Sequence, residues 1–199
     1  TLEDSQTISY TYDNDDRLIK KSYPTGKDVN YTYDQLGNRL TMTDDKGTTT
    51  YTYDAKNQLI KEVGPTGKTV TYAYDAVGVL TNKTVDGKSE KYVYDASKNL
   101  TSVTDASENT TTYSYNQNNN RNALKYPNNT KITYAYDTAS KLTNIGNLDP
   151  LGNSLFSYSY TYCDNGLIKT FSESTETTTS YGYDNLDRLE SVTSSSGSS

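Results

Sequence analysis

Histidine is absent from this 199-residue sequence, and cysteine occurs once, as Cys163. The first absence removes the commonest general base and the commonest transition-metal ligand, and with it any Cys-His nucleophile. The second excludes an intramolecular disulfide and a Cys-built metal cage. No apolar run is long enough to span a bilayer. No basic-then-apolar leader opens the sequence, which says nothing about export if the chain is a mature form or an excised piece. Lys and Arg are scattered and the net charge is −6, so there is no basic footprint for nucleic acid or an anionic membrane. Leu, Ile, Val and Phe make up only about 16% of the chain, a level at which disorder is the usual expectation.

Tyrosine reverses that expectation. There are 21 tyrosines, and 18 of them fall into nine Tyr-x-Tyr pairs whose first members are spaced 20 or 21 residues apart, with one step of 26. The pairs are Tyr10 and Tyr12, Tyr31 and Tyr33, Tyr51 and Tyr53, Tyr72 and Tyr74, Tyr92 and Tyr94, Tyr113 and Tyr115, Tyr134 and Tyr136, Tyr160 and Tyr162, and Tyr181 and Tyr183. A disordered chain has no reason to place aromatics so regularly. A fixed period in this range marks an array in which each unit buries its apolar face against its neighbours. A tyrosine ring leaves water readily while its hydroxyl still needs a partner, so a core built this way should be thin and partly wet or hydrogen-bonded.

Alternate residues within a unit separate by type, as a half-buried strand requires. Val70, Tyr72 and Tyr74 share one face, with Thr71 and Ala73 on the other. Asp follows nearly every pair and reads as a turn-former, because its carboxylate can accept a backbone N–H two residues on. A leucine then opens a second, shorter strand: Leu18, Leu40, Leu59, Leu80, Leu100, Leu124, Leu142 and Leu189. Alternation there is imperfect, which allows for a bulge. Second turns such as Tyr23-Pro24-Thr25-Gly26 and Gly64-Pro65-Thr66-Gly67 close each unit as hairpin tips. The expected fold class is therefore all-β: nine tandem antiparallel hairpins of about 20 residues in a spiralling single-layer sheet, with no segment suited to a helix. These paired tyrosines and leucines are its expected structural core.

The expected organisation is one elongated repeat domain over residues 1–193 and a flexible Ser/Gly tail over 194–199. Two departures from the period stand out. Around Asn116–Asn122 the first turn looks lengthened, with Asn in place of Asp, and the long step from Tyr134 to Tyr160 reads as a longer hairpin tip at Leu148–Asn153. Neither end carries a polar cap, so the array is expected to be a segment of something longer or to meet another copy of itself.

The pattern Tyr-x-Tyr-Asp-x-x-Gly-x-Leu, clearest at Tyr72–Leu80, Tyr51–Leu59 and Tyr181–Leu189, resembles the YD repeat of the rearrangement-hotspot (RHS) family. That family includes bacterial RHS and wall-associated proteins, Tc toxin shell subunits and teneurins, and the resemblance covers nearly the whole chain. It implies hairpins spiralling into a long sheet, often closed as a hollow shell around a toxin or another domain. It also implies a non-enzymatic scaffold or shell wall in a secreted or cell-surface protein of a bacterium. The partners implied are neighbouring repeats of the same or an identical chain and an encapsulated or attached toxin domain. Asp149-Pro150-Leu151-Gly152 is similar to the Asp-Pro-x-Gly motif of self-cleaving RHS shells, but more repeats follow it and its flanks differ, so it reads as a plain turn.

Other readings compete with the structural one. Tyrosine faces can stack sugars, which makes a carbohydrate-binding adhesive module the alternative from another class; recurrence in every unit favours a core residue. A self-assembling extracellular fibre is a second alternative. The cluster Asp13-Asn14-Asp15-Asp16 lacks the Gly and distal Glu of a calcium loop. Paired carboxylates for glycoside chemistry are needed once, whereas Asp recurs with every turn. No catalytic, metal or cofactor site is expected, and no cofactor.

Overall fold

The computed structural model describes residues 7–174 and 177–196. The chain divides into two compact units, Thr1–Lys91 and Tyr92–Ser199, where a single domain was expected; the tyrosine period runs through both. Unit 1 contains β1 (Ser9–Tyr12), β2 (Leu18–Ser22), β3 (Val29–Tyr33), β4 (Arg39–Asp44), β5 (Gly47–Tyr53), β6 (Leu59–Val63), β7 (Thr69–Tyr74), β8 (Leu80–Val85) and the start of β9 (Lys88–Tyr94). Unit 2 contains β10 (Leu100–Thr104), β11 (Thr110–Tyr115), β12 (Arg121–Lys125), β13 (Lys131–Tyr136), β14 (Leu142–Leu148), β15 (Ser154–Tyr162), β16 (Ile168–Glu173), β17 (Thr177–Tyr183) and β18 (Leu189–Ser196). The described residues form no helix.

Each strand pairs antiparallel with the one before and the one after it, in a meander that runs from β1 to β9 in unit 1 and from β10 to β18 in unit 2. Among the described residues of each unit, strand backbones approach only their sequence neighbours, so each unit is one layer deep. Burial agrees: Leu124, at 9% exposure, is the one buried hydrophobic residue described, and Thr49 the one buried polar residue. Such a sheet lacks the second layer against which domains ordinarily close a core.

Two local devices shape each hairpin. The first is a five-residue turn headed by Asp. In Asp54–Gln58 the Asp54 N–H donates to Gln58 O at 3.0 Å, the Asn57 N–H returns to Asp54 O at 3.1 Å, and Asp54 Oδ1 accepts the N–H of Lys56 (2.8 Å) and Gln58 (2.9 Å). The fourth position is left-handed, which suits Gly37 and Gly78 and is also adopted by Asn57, Lys98 and Ser140. The second device is a bulge opposite the second tyrosine. Thr52 pairs with Lys61 but Tyr53 with Leu59, leaving Ile60 extra, and the same shift recurs in β1–β2, β3–β4, β7–β8, β11–β12, β13–β14, β15–β16 and β17–β18.

Three expectations change. The Asn116–Asn120 turn has the ordinary length, with Asn116 Oδ1 accepting from Asn118 (2.9 Å) and Asn120 (3.0 Å), because the second strand begins at Arg121 rather than at Leu124. The extra residues before Tyr160 lengthen strands β14 and β15, and the tip Asp149–Asn153 is another five-residue Asp turn. Pairing in β18 continues through Ser196, three residues into the stretch expected to be a tail; residues 197–199 lie outside the described part.

Candidate functional site: the tyrosine face and its hydroxyl ladder

Residues directly opposite in antiparallel strands share a face. On the tyrosine side this gives rows such as Tyr31–Met42–Thr49 and Tyr51–Glu62–Val70 in unit 1, and Tyr113–Leu124–Ile132, Tyr134–Ile145–Tyr158 and Tyr160–Phe171–Thr179 in unit 2. The other side carries cross-strand hydroxyl pairs, among them Thr32–Thr41 at 2.7 Å and Thr161–Thr170 at 2.6 Å. Most paired tyrosines are half-buried; Tyr10 and Tyr12, on the outermost strand of unit 1, are 50% and 54% exposed.

The second tyrosine of a pair reaches the preceding hairpin. Its hydroxyl donates to the carbonyl of the first residue of that hairpin's second strand: Tyr33 to Leu18 O (2.8 Å), Tyr53 to Arg39 O (3.0 Å) and Tyr74 to Leu59 O (2.8 Å) in unit 1. In unit 2 the bonds run from Tyr115 to Leu100 O (2.9 Å), Tyr136 to Arg121 O (2.9 Å), Tyr162 to Leu142 O (2.6 Å) and Tyr183 to Ile168 O (2.9 Å). Leu18, Arg39, Leu59, Arg121, Leu142 and Ile168 each lie opposite a second tyrosine, beside the bulge. Burial pushes the phenols of Tyr74, Tyr115 and Tyr162 up, so they remain protonated donors.

The first tyrosines play another part. Tyr31, Tyr51 and Tyr72 make no hydroxyl hydrogen bond among the described residues and contribute their rings. Arg39 lies over Tyr51 at 4.5 Å and Tyr31 at 5.9 Å, and Arg121 over Tyr134 at 5.1 Å. In unit 2, Tyr158 stacks on Phe171 at 5.7 Å, with Tyr160 5.4 Å from Phe171 and Phe156 edge-on to Tyr158.

Of the leucines expected in the core, Leu18, Leu59, Leu80, Leu142 and Leu189 stand opposite a second tyrosine, and Leu100 opens β10. Leu40 is the extra residue of its bulge and 39% exposed, while Leu124 faces Tyr113. Arg39 and Arg121 occupy the place the motif assigns to leucine, and Ile168 does so in the eighth hairpin. All three sit six residues after the second tyrosine, as every leucine in that place does; this offset, rather than leucine identity, is the signal that finds them.

The recurrent carboxylates are committed to turns. Hydrogen bonds from the side-chain amide of the Asn four residues on are the largest influence holding Asp34, Asp95, Asp105 and Asp149 below the usual carboxylate range. The Arg188 side chain does the same for Asp184, and the Arg17 N–H for Asp13. In the Asp13–Asp16 cluster, Asp13 Oδ2 is 2.7 Å from Arg17 Nε, and Asp15 lies 3.3 Å from Arg17 Nη2. Among the described residues no group of three or more His, Cys, Asp or Glu could hold a metal, and no helix is long and apolar enough to cross a membrane. At Cys163 the turn keeps its backbone bonds, Cys163 N–H to Leu167 O (2.8 Å) and Gly166 N–H to Cys163 O (2.9 Å), while Asn165 supplies the side-chain acceptor.

Two family models match: that of the teneurin YD-shell over residues 1–86 and that of the RHS repeat over residues 94–131. Among solved structures, the TcdB2-TccC3-Cdc42 crystal structure matches with a TM-score of 0.69 and 16% identity, over 96% of this chain and 12% of that one. TcdB2-TccC3 without its hypervariable C-terminal region gives 0.70 at 16% identity, again over 96% and 12%, and TcdB2-TccC3 itself 0.56 at 15% identity, over 93% and 13%. The chain thus spans about an eighth of each of these, and at such identities the likeness is one of fold. No curated protein matches.

Proposed function

Because the chain belongs to the YD/RHS-repeat family, we propose that it is a non-enzymatic stretch of wall: a β-hairpin scaffold of a larger secreted or cell-surface protein that encases or displays another domain. The observation that carries this reading is the hydroxyl ladder. A tyrosine reaching the preceding hairpin's carbonyl at 2.6–3.0 Å recurs through both units, so the conspicuous side chains join one hairpin to the next. A wall one layer thick can be extended hairpin by hairpin without a new core, because each hairpin needs only its neighbours.

Two further features support a structural role. The repeated Asp carboxylates hold turn N–H groups, and those of Asp34, Asp95, Asp105, Asp149 and Asp184 are shifted down, away from the near-neutral value that general acid–base work favours. The tyrosines are engaged by neighbours in the same sheet, and their recurrence fits cohesion better than a single sugar platform. Limited proteolysis of the natural polypeptide that contains the array tests the proposal. An enclosed domain resists protease until the array is breached; equal cleavage of that domain with and without the array refutes the enclosing role. Release of array peptides by protease applied to intact cells tests the cell-surface placement.

A further inference from the structure

On the side of the sheet away from the tyrosines, where cross-strand hydroxyl pairs recur, one row in unit 2 is different. It runs Thr112–Lys125–Lys131–Leu148 across β11 to β14, each residue opposite the next. Lys125 and Lys131 therefore face each other in an antiparallel pair, an arrangement that repulsion disfavours.

Neither lysine is neutralised from within the unit. Among the described residues neither makes an ion pair, whereas lysines at the same end of the hairpins in unit 1 do: Lys20 with Asp28 at 2.7 Å and Lys27 with Asp45 at 3.1 Å. Asp149, in the adjoining tip, is already committed. Its Oδ1 accepts the N–H of Leu151 (2.9 Å) and of Asn153 (2.8 Å), its Oδ2 accepts the Asn153 side-chain amide (2.8 Å), and the groups that lower its pKa all belong to that turn.

Both lysines line two adjoining hollows. One, of about 330 Å³, lies beside the Asp149–Asn153 tip and has Leu148, Pro150 and Leu151 as its apolar wall; Leu151 is 87% exposed. The other, of about 210 Å³, lies farther down the strands, where Ala123 leaves room beside Ser114. The ammonium groups are thus open on both sides.

We propose that these hollows form a docking groove for an extended acidic segment of a partner protein. A Glu or Asp side chain of the segment sits between Lys125 and Lys131, and an apolar side chain two places along sits against Leu148 and Leu151. The spacing fits: the midpoint of the lysine pair is one and a half strand spacings from Leu148, about 7 Å, and alternate side chains of an extended peptide are about 6.7 Å apart. Charge and apolar surface together define the occupant. A small oxyanion would meet the lysines and leave the leucines in water, and an apolar segment without a carboxylate would cover two cations with no counter-charge. The groove does not depend on the wall enclosing a domain.

Selection from a random peptide library displayed on phage tests this, with the full 199-residue chain as bait. The counter-bait is Lys125→Thr with Lys131→Thr, which places hydroxyl residues in the row; relief of the opposed charges should leave its urea midpoint level or raised. Retained peptides should carry Asp or Glu two places from a large apolar residue. One of them, labelled with fluorescein, should lose affinity about tenfold on the double variant in fluorescence anisotropy, the equivalent of two exposed ion pairs. Leu151→Ser should cost about fivefold, the burial of roughly half a leucine side chain, while Lys20→Thr, whose lysine already has Asp28, should change nothing. Salt reads the same contact without a substitution, since affinity for the unaltered chain should fall as ionic strength rises. No retained peptide, retained peptides without acidic residues, salt-independent affinity or equal binding to the double variant each overturn the proposal. So does undiminished binding once the peptide's apolar residue is replaced by serine, because the lysines are then a plain anion patch.

Discussion

Replacing Tyr33, Tyr53 and Tyr74 together by Phe removes three rungs of the ladder in unit 1 and leaves every ring in place. Each hydroxyl lies 2.8–3.0 Å from its carbonyl, and each tyrosine is half-buried. A neutral hydrogen bond in such a setting contributes about 0.5–1.5 kcal/mol, and its loss also leaves the carbonyl short of a partner. Successive rungs are two strand spacings apart, roughly 9–10 Å, far enough for near-additive effects. The triple variant should therefore lose about 2–4 kcal/mol. The matched control is Tyr31, Tyr51 and Tyr72 to Phe, which removes hydroxyls that have no hydrogen-bond partner among the described residues and should cost only a few tenths of a kcal/mol. Urea denaturation followed by circular dichroism measures both. If the two triple variants unfold at the same urea concentration, the division of labour between first and second tyrosines is wrong, and the ladder does not hold hairpin to hairpin.

Acid should loosen the array. The lowered carboxylates of Asp13, Asp34, Asp95, Asp105, Asp149 and Asp184 contribute stability that is fully present above the ordinary aspartate value of 3.8. It is lost as pH falls through their depressed values, so the urea midpoint should fall between pH 6 and pH 2, and a midpoint that stays level or rises refutes the turn assignment. Cys163→Asp restores the carboxylate that heads the other turns and should raise the urea midpoint by the equivalent of about 1 kcal/mol; no gain would show that the turn does not use it. Arg39→Leu installs the usual residue of that position and removes a buried Nε that has no hydrogen-bond partner. It also removes the stacking on Tyr51 and Tyr31. An unsatisfied buried donor costs about 1–3 kcal/mol and a partly exposed cation–π contact contributes about 0.5–1, so the variant should be more stable by about 1 kcal/mol, and destabilisation refutes that balance.

The sequence announced the hairpins because a strand with one aromatic face and an Asp-headed turn both leave period-specific marks. The tyrosine alternation is set by the pleat, and the Asp by its Oδ1, which caps two N–H groups in turn after turn. What stayed hidden was anything that depends on the partner strand. Leucine reads as the sign of the second strand, yet that strand begins where the five-residue turn delivers it, six residues past the second tyrosine, whether the residue there is Leu59, Arg39 or Ile168. Arginine can stand there because its stem covers the sheet while its head lies over a tyrosine ring, an equivalence that hydropathy does not register. The hydroxyl ladder was foreseen only as a need, since its acceptors are carbonyls, which carry no sequence identity.

That last point explains how a chain so poor in aliphatic residues tolerates variation along its tyrosine face. The row positions opposite the first tyrosines range from Lys21, Glu62 and Lys83, with Met42 among them, in unit 1 to Leu124, Ile145, Phe171 and Val192 in unit 2. A wall that relied on packing alone could not exchange a leucine for a glutamate in its central row without losing its cohesion. Here the bond between hairpins runs from a phenol to a backbone carbonyl, so it survives whatever side chain the row happens to carry. The face is thereby free to differ from hairpin to hairpin, apolar and aromatic around Phe156, Tyr158 and Phe171 and charged around Glu62 and Lys83, while the spacing of the wall is kept by groups every hairpin possesses.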